Sequence, residues 1–375
     1  MASDRKAPAR IGLAVVGGGR IGEFRARIAG LHPQVDWIGV AEIRPERAAE
    51  FGEKVGADFV TRDYTELLNR PEVTAAIVCT DEHLHEGPLQ AVIDRGIPVL
   101  IEKPLALSVQ ASARLLHGLH QQSIDAVMGY TQRYRQRYMT AKDRIGRGAL
   151  GEPTLITARG LLNSMVSTDM YESAGIDTGL TPMTMAGTHM VDLAMWFLEG
   201  RELRRIQATS ADRVYGPRYG GKDLTCSILE FDDGTVCSIV FCWTLPTSWP
   251  GAVYGLEMAV VGTEGVLTID DTHRDVVMAV GQAQMEGYAP RADRRVDFLG
   301  SYLPGDMALG HLRGPMHEET MSWLSRLSLG QPTHHATAAQ GHERLVVTKL
   351  IDLAASAGQA ICAPFDDPDL LKQLG

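Results

Sequence analysis

The chain has 375 residues, too many for one compact hydrophobic core, so two domains are expected. Hydrophobic residues make up 45% and charged residues 22%, the balance of a globular protein, and a formal net charge of −10 argues against a general nucleic-acid or anionic-membrane surface. No apolar run reaches the length of a membrane span and the start, Met1 to Lys6, has no apolar core behind it, which makes a cytoplasmic location the expectation.

The first predicted strand, Ile11–Val16, runs directly into Gly17-x-Gly19-x-x-Gly22, and residues 21–29 read as a helix. In such a turn the first glycine permits the sharp bend, the second lets the backbone approach a pyrophosphate and the third allows close helix–strand packing. The helix start, with Arg20 and Ile21, adds N–H donors and a positive dipole end. A second strand, 37–41, ends at Glu42, about 20 residues past Gly22, where an acid hydrogen-bonds the ribose of a dinucleotide. A carboxylate there repels a 2′-phosphate and so favours NAD over NADP, although Arg44 and Arg47, at the start of a helix over 45–51, leave NADP open. Strands at 57–60 and 75–79 alternate with helices at 64–69 and 84–95, the latter closed by Gly96. The next strand, 97–101, delivers Glu102-Lys103-Pro104; a helix capped by Ser108 reaches about His120, and a strand at 125–128 leads into Gly129-Tyr130-Thr131-Gln132-Arg133. Strict alternation implies a doubly wound parallel sheet, and Lys103 then falls at a carboxyl strand end, where open α/β sheets bind their ligands.

After about Gly151 the pattern changes. Between the halves lies Gly187-Thr188-His189 and a helical run in which His189 and Asp192 share a face while Leu193, Trp196 and Phe197 form a buried stripe. Residues 224–231, Asp232-Asp233-Gly234 and 235–243 read as a hairpin, and 254–261 with 266–269 as another, so a large, mostly antiparallel open sheet is expected. Such a sheet can offer one face to a partner subunit, which points to a homodimer or homotetramer. Two connecting stretches, 161–171 and 300–306, offer Asn163 and Tyr302 as hydroxyl-binding groups. The five cysteines are odd in number, lack Cys-x-x-Cys spacing and read as reduced thiols, and the His83/His85 and His334/His335 pairs lack the further ligands a metal would need, so no metal is expected.

Taken together these features resemble the glucose–fructose oxidoreductase / inositol dehydrogenase / MocA (GFO/IDH/MocA) family, over Ile11 to about Ile361. The carrying residues are the glycine turn, the acid after the second strand, Glu102-Lys103-Pro104, and Gly187-x-His189-x-x-Asp192 before the sheet. The resemblance implies a Rossmann domain over 1–128 and a substrate and oligomerisation domain over 129–375, with a C-terminal helix over 339–358 able to pack back on the first. It also implies hydride exchange between a nicotinamide cofactor and a secondary alcohol or ketone of a sugar, cyclitol or related polyol. By position, His189 matches the catalytic histidine and Lys103 the lysine beside the reacting hydroxyl; Glu102 and Pro104 orient that lysine. Arg133 matches an arginine near the nicotinamide and His85 a histidine after the fourth strand. The expected cofactor contacts are Gly17, Gly19, Arg20, Ile21, Gly22, Glu42, Arg47, Thr80, His85, Glu102, Lys103 and Arg133. The expected substrate contacts are Lys103, Asn163, Thr184, Met185, His189 and Tyr302.

Three positions depart from the family pattern. Met185 stands where an aspartate is usual, with Thr181 and Thr184 the nearest polar residues; Thr80-Asp81-Glu82 replaces Thr-Pro-Asn; and Thr131 replaces an asparagine. Asp192 is then the acid left to reach His189. Two other functions fit the same fold: an NAD-dependent glycosidase working by transient oxidation and elimination, and an NAD-binding regulator without catalysis.

Overall fold

The apolar runs of the first half become strands because only the middle of a sheet covered on both faces can bury side chains pointing in both directions. They are β1 (Ile11–Val16), β2 (Val35–Ala41), β3 (Phe59–Thr61), β4 (Ala75–Val78), β5 (Val99–Ile101) and β6 (Ala126–Met128). Every residue of β1, β4 and β5 is buried. The computed structural model describes residues 8–174, 181–249, 254–270, 276–280, 296–299 and 304–374. They form two compact units, residues 1–130 with 316–342 and residues 131–315 with 343–375.

In the first unit the six strands are parallel in the order β6-β5-β4-β1-β2-β3. The winding reverses between β1 and β4, and that reversal opens a crevice at the carboxyl strand ends. Ala14, Val16, Val78 and Ile101 pack on one face; Leu13, Val15, Ile77 and Leu100 pack on the other. Helices form where hydrogen-bond caps allow them: Ser108 Oγ accepts from the Ala111 N–H, and Gly96 ends the helix Glu86–Arg95 at φ 66°.

A segment from late in the chain completes this unit. Trp323 and Leu324, on the helix Pro315–Leu329, pack beside Leu13 and Val15, and Ala336–Thr337 pairs antiparallel with β6. The units therefore divide the chain differently from the sequence reading. The segment grouped with the Rossmann strands is 316–342, while the helix Ala338–Ala357 groups from 343 onward with the second unit.

The second unit is built on β7 (Pro153–Asn163), β8 (Leu203–Ala211), β9 (Leu224–Phe231), β10 (Val236–Leu245), β11 (Tyr254–Gly262) and β12 (Val266–Asp270). Their order is β12-β11-β7-β10-β9-β8, with Ile361–Cys362 at the far edge; β7 and β10 run parallel and every other pair antiparallel. Alternation fixes the faces: Cys237, Ile239, Phe241 and Trp243 of β10 are fully buried. Against β7 and β10 lies the helix Thr188–Phe197, buried at all ten positions and entered through a π-helical turn, Met183–Gly187. Residues 161–171, expected to be a connecting loop, instead finish β7 and form most of the helix Ser164–Ala174. No helix among the described residues is long and apolar enough to cross a membrane.

Candidate active site

The expected functional residues fall into two groups, one in each unit. In the first unit they gather where β1, β2, β4 and β5 end. Gly17 has φ 107°, and a Cβ there would lie 2.5 Å from the Cys79 carbonyl oxygen after β4. A Cβ at Gly22 would come within 1.9 Å of the Gly17 carbonyl oxygen, so the helix Arg20–Ala29 packs onto the turn only without a side chain. Gly19 differs: a Cβ there would meet nothing within 4 Å, and no side chain caps the helix behind it. Space and uncapped helix N–H groups together are what a pyrophosphate needs.

Glu42 closes the same turn. Its Oε2 accepts from the Gly18 N–H at 2.9 Å, and its Oε1 accepts from the Arg44 backbone N–H at 3.1 Å and from Arg44 Nε at 2.9 Å. Burial by itself would raise this carboxyl; the hydrogen bonds from Arg44 and Gly18 outweigh it and hold Glu42 below the usual carboxylate range. The anion is thus kept at the carboxyl end of β2, beside the glycine turn. Arg47 sits half-buried in the first turn of the helix Pro45–Val55. Thr80, just past β4, has a buried Oγ1 without a hydrogen-bond partner. An unmatched buried hydroxyl beside an open glycine turn fits a polar ligand there, and the residues present suit a dinucleotide.

His85 has another task. It is buried, with Nδ1 2.8 Å from the Pro104 carbonyl oxygen and Nε2 3.1 Å from that of Thr80. Carbonyls only accept, so a neutral ring can donate to one of them at a time. Burial lowers its pKa against the pull of those two carbonyls. The ring therefore sits between the end of β4 and the segment after β5 that follows Lys103, donating to one of these two backbone carbonyls at a time. Lys103 itself is half-buried. Glu102, directly before it, bonds to Arg25 Nε at 2.6 Å. Cys79 lies beneath the turn, Sγ 3.4 Å from the Val16 and Gly17 carbonyl oxygens, and burial pushes its thiol far up, which leaves it inert.

In the second unit, His189 occupies the first turn of the helix Thr188–Phe197 and is 9% exposed. Asp192, one turn on, is not turned to the histidine's service. Arg133 Nε bonds its Oδ2 at 2.8 Å and Arg133 Nη2 its Oδ1 at 2.5 Å, while Arg344 Nε reaches Oδ1 at 3.3 Å. Arg133 also lies over the Trp196 ring, 5.2 Å from its centroid. A buried carboxylate draws cations, so both oxygens of Asp192 are taken by arginines, which differs from the sequence expectation that Asp192 orients His189.

Thr184 and Thr181 bond each other's backbone N–H reciprocally, at 2.9 and 3.0 Å, at the entry to the π turn. Thr181 Oγ1 also donates to Asp352 Oδ2 at 2.6 Å, and burial lifts that carboxyl to about 7 against the pull of Thr181 and Lys349. Met185, four residues before His189, is half-buried, with its N–H on the Thr181 carbonyl oxygen at 3.0 Å. Asn163, offered by the sequence as a hydroxyl-binding group, is fully buried: Oδ1 accepts from the Met165 N–H at 3.0 Å and Nδ2 donates to the Pro246 carbonyl oxygen at 3.1 Å. It caps the helix that follows. Tyr302 lies outside the described residues. Among the described residues no group of three or more His, Cys, Asp or Glu is arranged to hold a metal ion. Sequence reasoning missed Arg25, Glu319 and Arg344. Arg25 could have been found, since it shares the inward helical face of Gly22, Ala26 and Ala29.

A doubly wound sheet with a shaped glycine turn, an acid at the end of its second strand and a strand-end lysine defines a dinucleotide-dependent oxidoreductase. The chain belongs to the GFO/IDH/MocA oxidoreductase family: residues 11–130 match its NAD-binding Rossmann fold and residues 138–268 its C-terminal domain. An inositol 2-dehydrogenase of Streptomyces avermitilis is 27% identical over 375 residues, covering 97% of each chain. A levoglucosan dehydrogenase of Pseudarthrobacter phenanthrenivorans is 23% identical over 317 residues, covering 74% of this chain and 79% of its own. The fold matches a solved structure of scyllo-inositol dehydrogenase from Lactobacillus casei with bound NAD(H) and scyllo-inositol, at TM-score 0.75 and 17% identity over 94% of this chain and 99% of that one.

Proposed function

We propose that the protein oxidises a secondary alcohol of a cyclitol, sugar or related polyol, or reduces the matching ketone, with NAD as its preferred cofactor. NAD, when bound, supplies the hydride acceptor; Gly17, Gly19, Arg20, Ile21, Gly22, Glu42 and Thr80 would hold it. Removing hydride from a carbinol carbon requires that the hydroxyl proton leave as well, and His189 is the base in this reading. Lys103, as an ammonium, stabilises the negative charge that develops on the oxygen. Asp192 and Arg133 act behind the histidine by fixing its helix, and Thr184 and Met185 line the substrate side. Asn163 is left out because its amide is committed to the backbone.

The reading is supported above all by one observation: a lysine set at the carboxyl end of β5, its neighbour Glu102 locked by a buried arginine, beside a turn shaped for a dinucleotide. Preference for NAD is supported by the Glu42 carboxylate. The sheet offers support for a homodimer or homotetramer. Ile228, Val261 and Val266 share one face by register and are 42%, 36% and 63% exposed. The test is an absorbance screen at the NADH band over cyclitols and sugars, with NAD and NADP in parallel. NADH formation with at least one substrate is expected. Aryl glycoside cleavage without net NADH would replace this reading with the glycosidase, and cofactor binding with neither activity with the regulator.

A further inference from the structure

Arg25 has a position that cofactor binding does not explain. It lies on the helix that starts at the glycine turn, yet its guanidinium is 0% exposed and points into the unit. Three side chains from two other segments meet on it. Nε bonds Glu102 Oε1 at 2.6 Å, Nη2 lies 2.5 Å from the same oxygen and 2.7 Å from Glu319 Oε2, and Nη1 bonds the Thr320 hydroxyl at 2.9 Å. Glu319 is buried as completely as Arg25, whereas Glu102 keeps 14% of its side chain exposed. The space for the pair comes from Gly129: a Cβ there would lie 2.9 Å from Arg25 Nη2 and 3.0 Å from Glu102 Oε2.

One guanidinium bridges two carboxylates here through charge-assisted bonds of fixed fork geometry, so the three groups hold one another in place, and loss of Arg25 would leave two carboxylates facing each other in a low-dielectric interior. The part held is the residue directly before Lys103. We infer that Arg25 and Glu319 are positioning residues for Lys103: through Glu102 they fix the backbone from which the lysine reaches the substrate oxygen. The inference rests on the proposed dehydrogenase reading, in which that lysine stabilises the developing alkoxide. It also gives the late segment 316–342 a part in the chemistry, since Glu319 and Thr320 come from its helix.

The test is a double-mutant cycle with Glu319→Gln and Arg25→Lys, each made in the wild-type chain and in Lys103→Ala. Misplacing a reacting group by about 1 Å can cost roughly 10²-fold, so either variant is expected to lower kcat by roughly ten- to a hundredfold while KM for NAD stays put. In the Lys103→Ala background the same substitutions should change the residual rate by less than about twofold. An equal loss in both backgrounds, or a loss confined to KM for NAD, overturns the inference. Should Glu319→Gln not fold, Thr320→Val, which removes a single bond to Arg25, takes its place in the cycle. A wild-type chain that oxidises no polyol, or a Lys103→Ala chain of normal rate, is instead a failure of the dehydrogenase reading. In that event labelling of lysine amines, read by mass spectrometry on the NAD-bound chain, decides the inference. Glu319→Gln should change the labelling of Lys103 several-fold relative to exposed Lys372, and unchanged labelling of Lys103 overturns it.

Discussion

Glu42 does two things at once, and its hydrogen bonds say why. One oxygen holds the Gly18 N–H and so shapes the turn; the other holds Arg44, whose cation is thereby kept occupied. Glu42→Ala should raise KM for NAD by roughly ten- to a hundredfold, the worth of a hydrogen bond to a charged group, and narrow the gap between NAD and NADP. Steady-state kinetics with both cofactors measures it; unchanged discrimination would contradict the assignment. Asp352 makes a prediction about pH. Its folded-state pKa, about 7, lies above the ordinary carboxyl value, so the folded protein holds a proton that the unfolded chain has released over the interval between them. Its contribution to stability is full below the unfolded value and is lost as pH rises through about 7. Urea unfolding of Asp352→Asn across pH 4 to 8 should therefore show a shallower decline than wild type over about that range. An unaltered profile would show that Thr181 and Lys349 keep this carboxyl ionised.

At the scale of elements, Asn163 shows how a polar residue in a predicted loop can be a structural device. Its side chain accepts the Met165 N–H and starts the helix Ser164–Ala174. Asn163→Ala should destabilise the protein by about 1–2 kcal/mol, as cap removal does, with kcat and KM near normal. A rise in KM for the substrate without loss of stability would return Asn163 to the substrate. The helix carrying His189 depends on Asp192 more heavily. Asp192→Ala removes the buried carboxylate that Arg133 and Arg344 share, leaving Arg344 its ion pair with Glu343, and should cost about 3–5 kcal/mol in denaturant unfolding. The Rossmann strands were readable because a strand buried on both faces leaves an unbroken apolar run bounded by turn residues. The His189 helix was readable from its stripe of Leu193, Trp196 and Phe197. The partners of Asp192 and Glu102 were not, because Arg133, Arg344, Arg25 and Glu319 come together only through the fold and nothing in their local spacing marks them. The helix after Asn163 escaped for the opposite reason: its serines and threonines weaken helical periodicity, and the cap that starts it is a single side chain.

For the whole molecule, the sheet of the second unit carries one face buried under helix and another holding Ile228, Val261 and Val266. Exposed apolar residues on one open sheet face suit contact with a second copy of the chain. The proposed homodimer or homotetramer predicts that Val266→Asp with Ile228→Lys moves the mass seen by light scattering toward the monomer, and an unchanged mass would contradict a contact through this face. The family's reaction needs a hydride acceptor, a proton acceptor and a stabilised oxygen. The last two roles are those proposed above for His189 and Lys103. The most direct test of that assignment is the rate of NADH formation with the best polyol substrate for wild type, Lys103→Ala and His189→Ala. Each variant is predicted to lose roughly 10²–10⁴-fold in kcat while still binding NAD. Near-normal turnover in either variant would contradict the account.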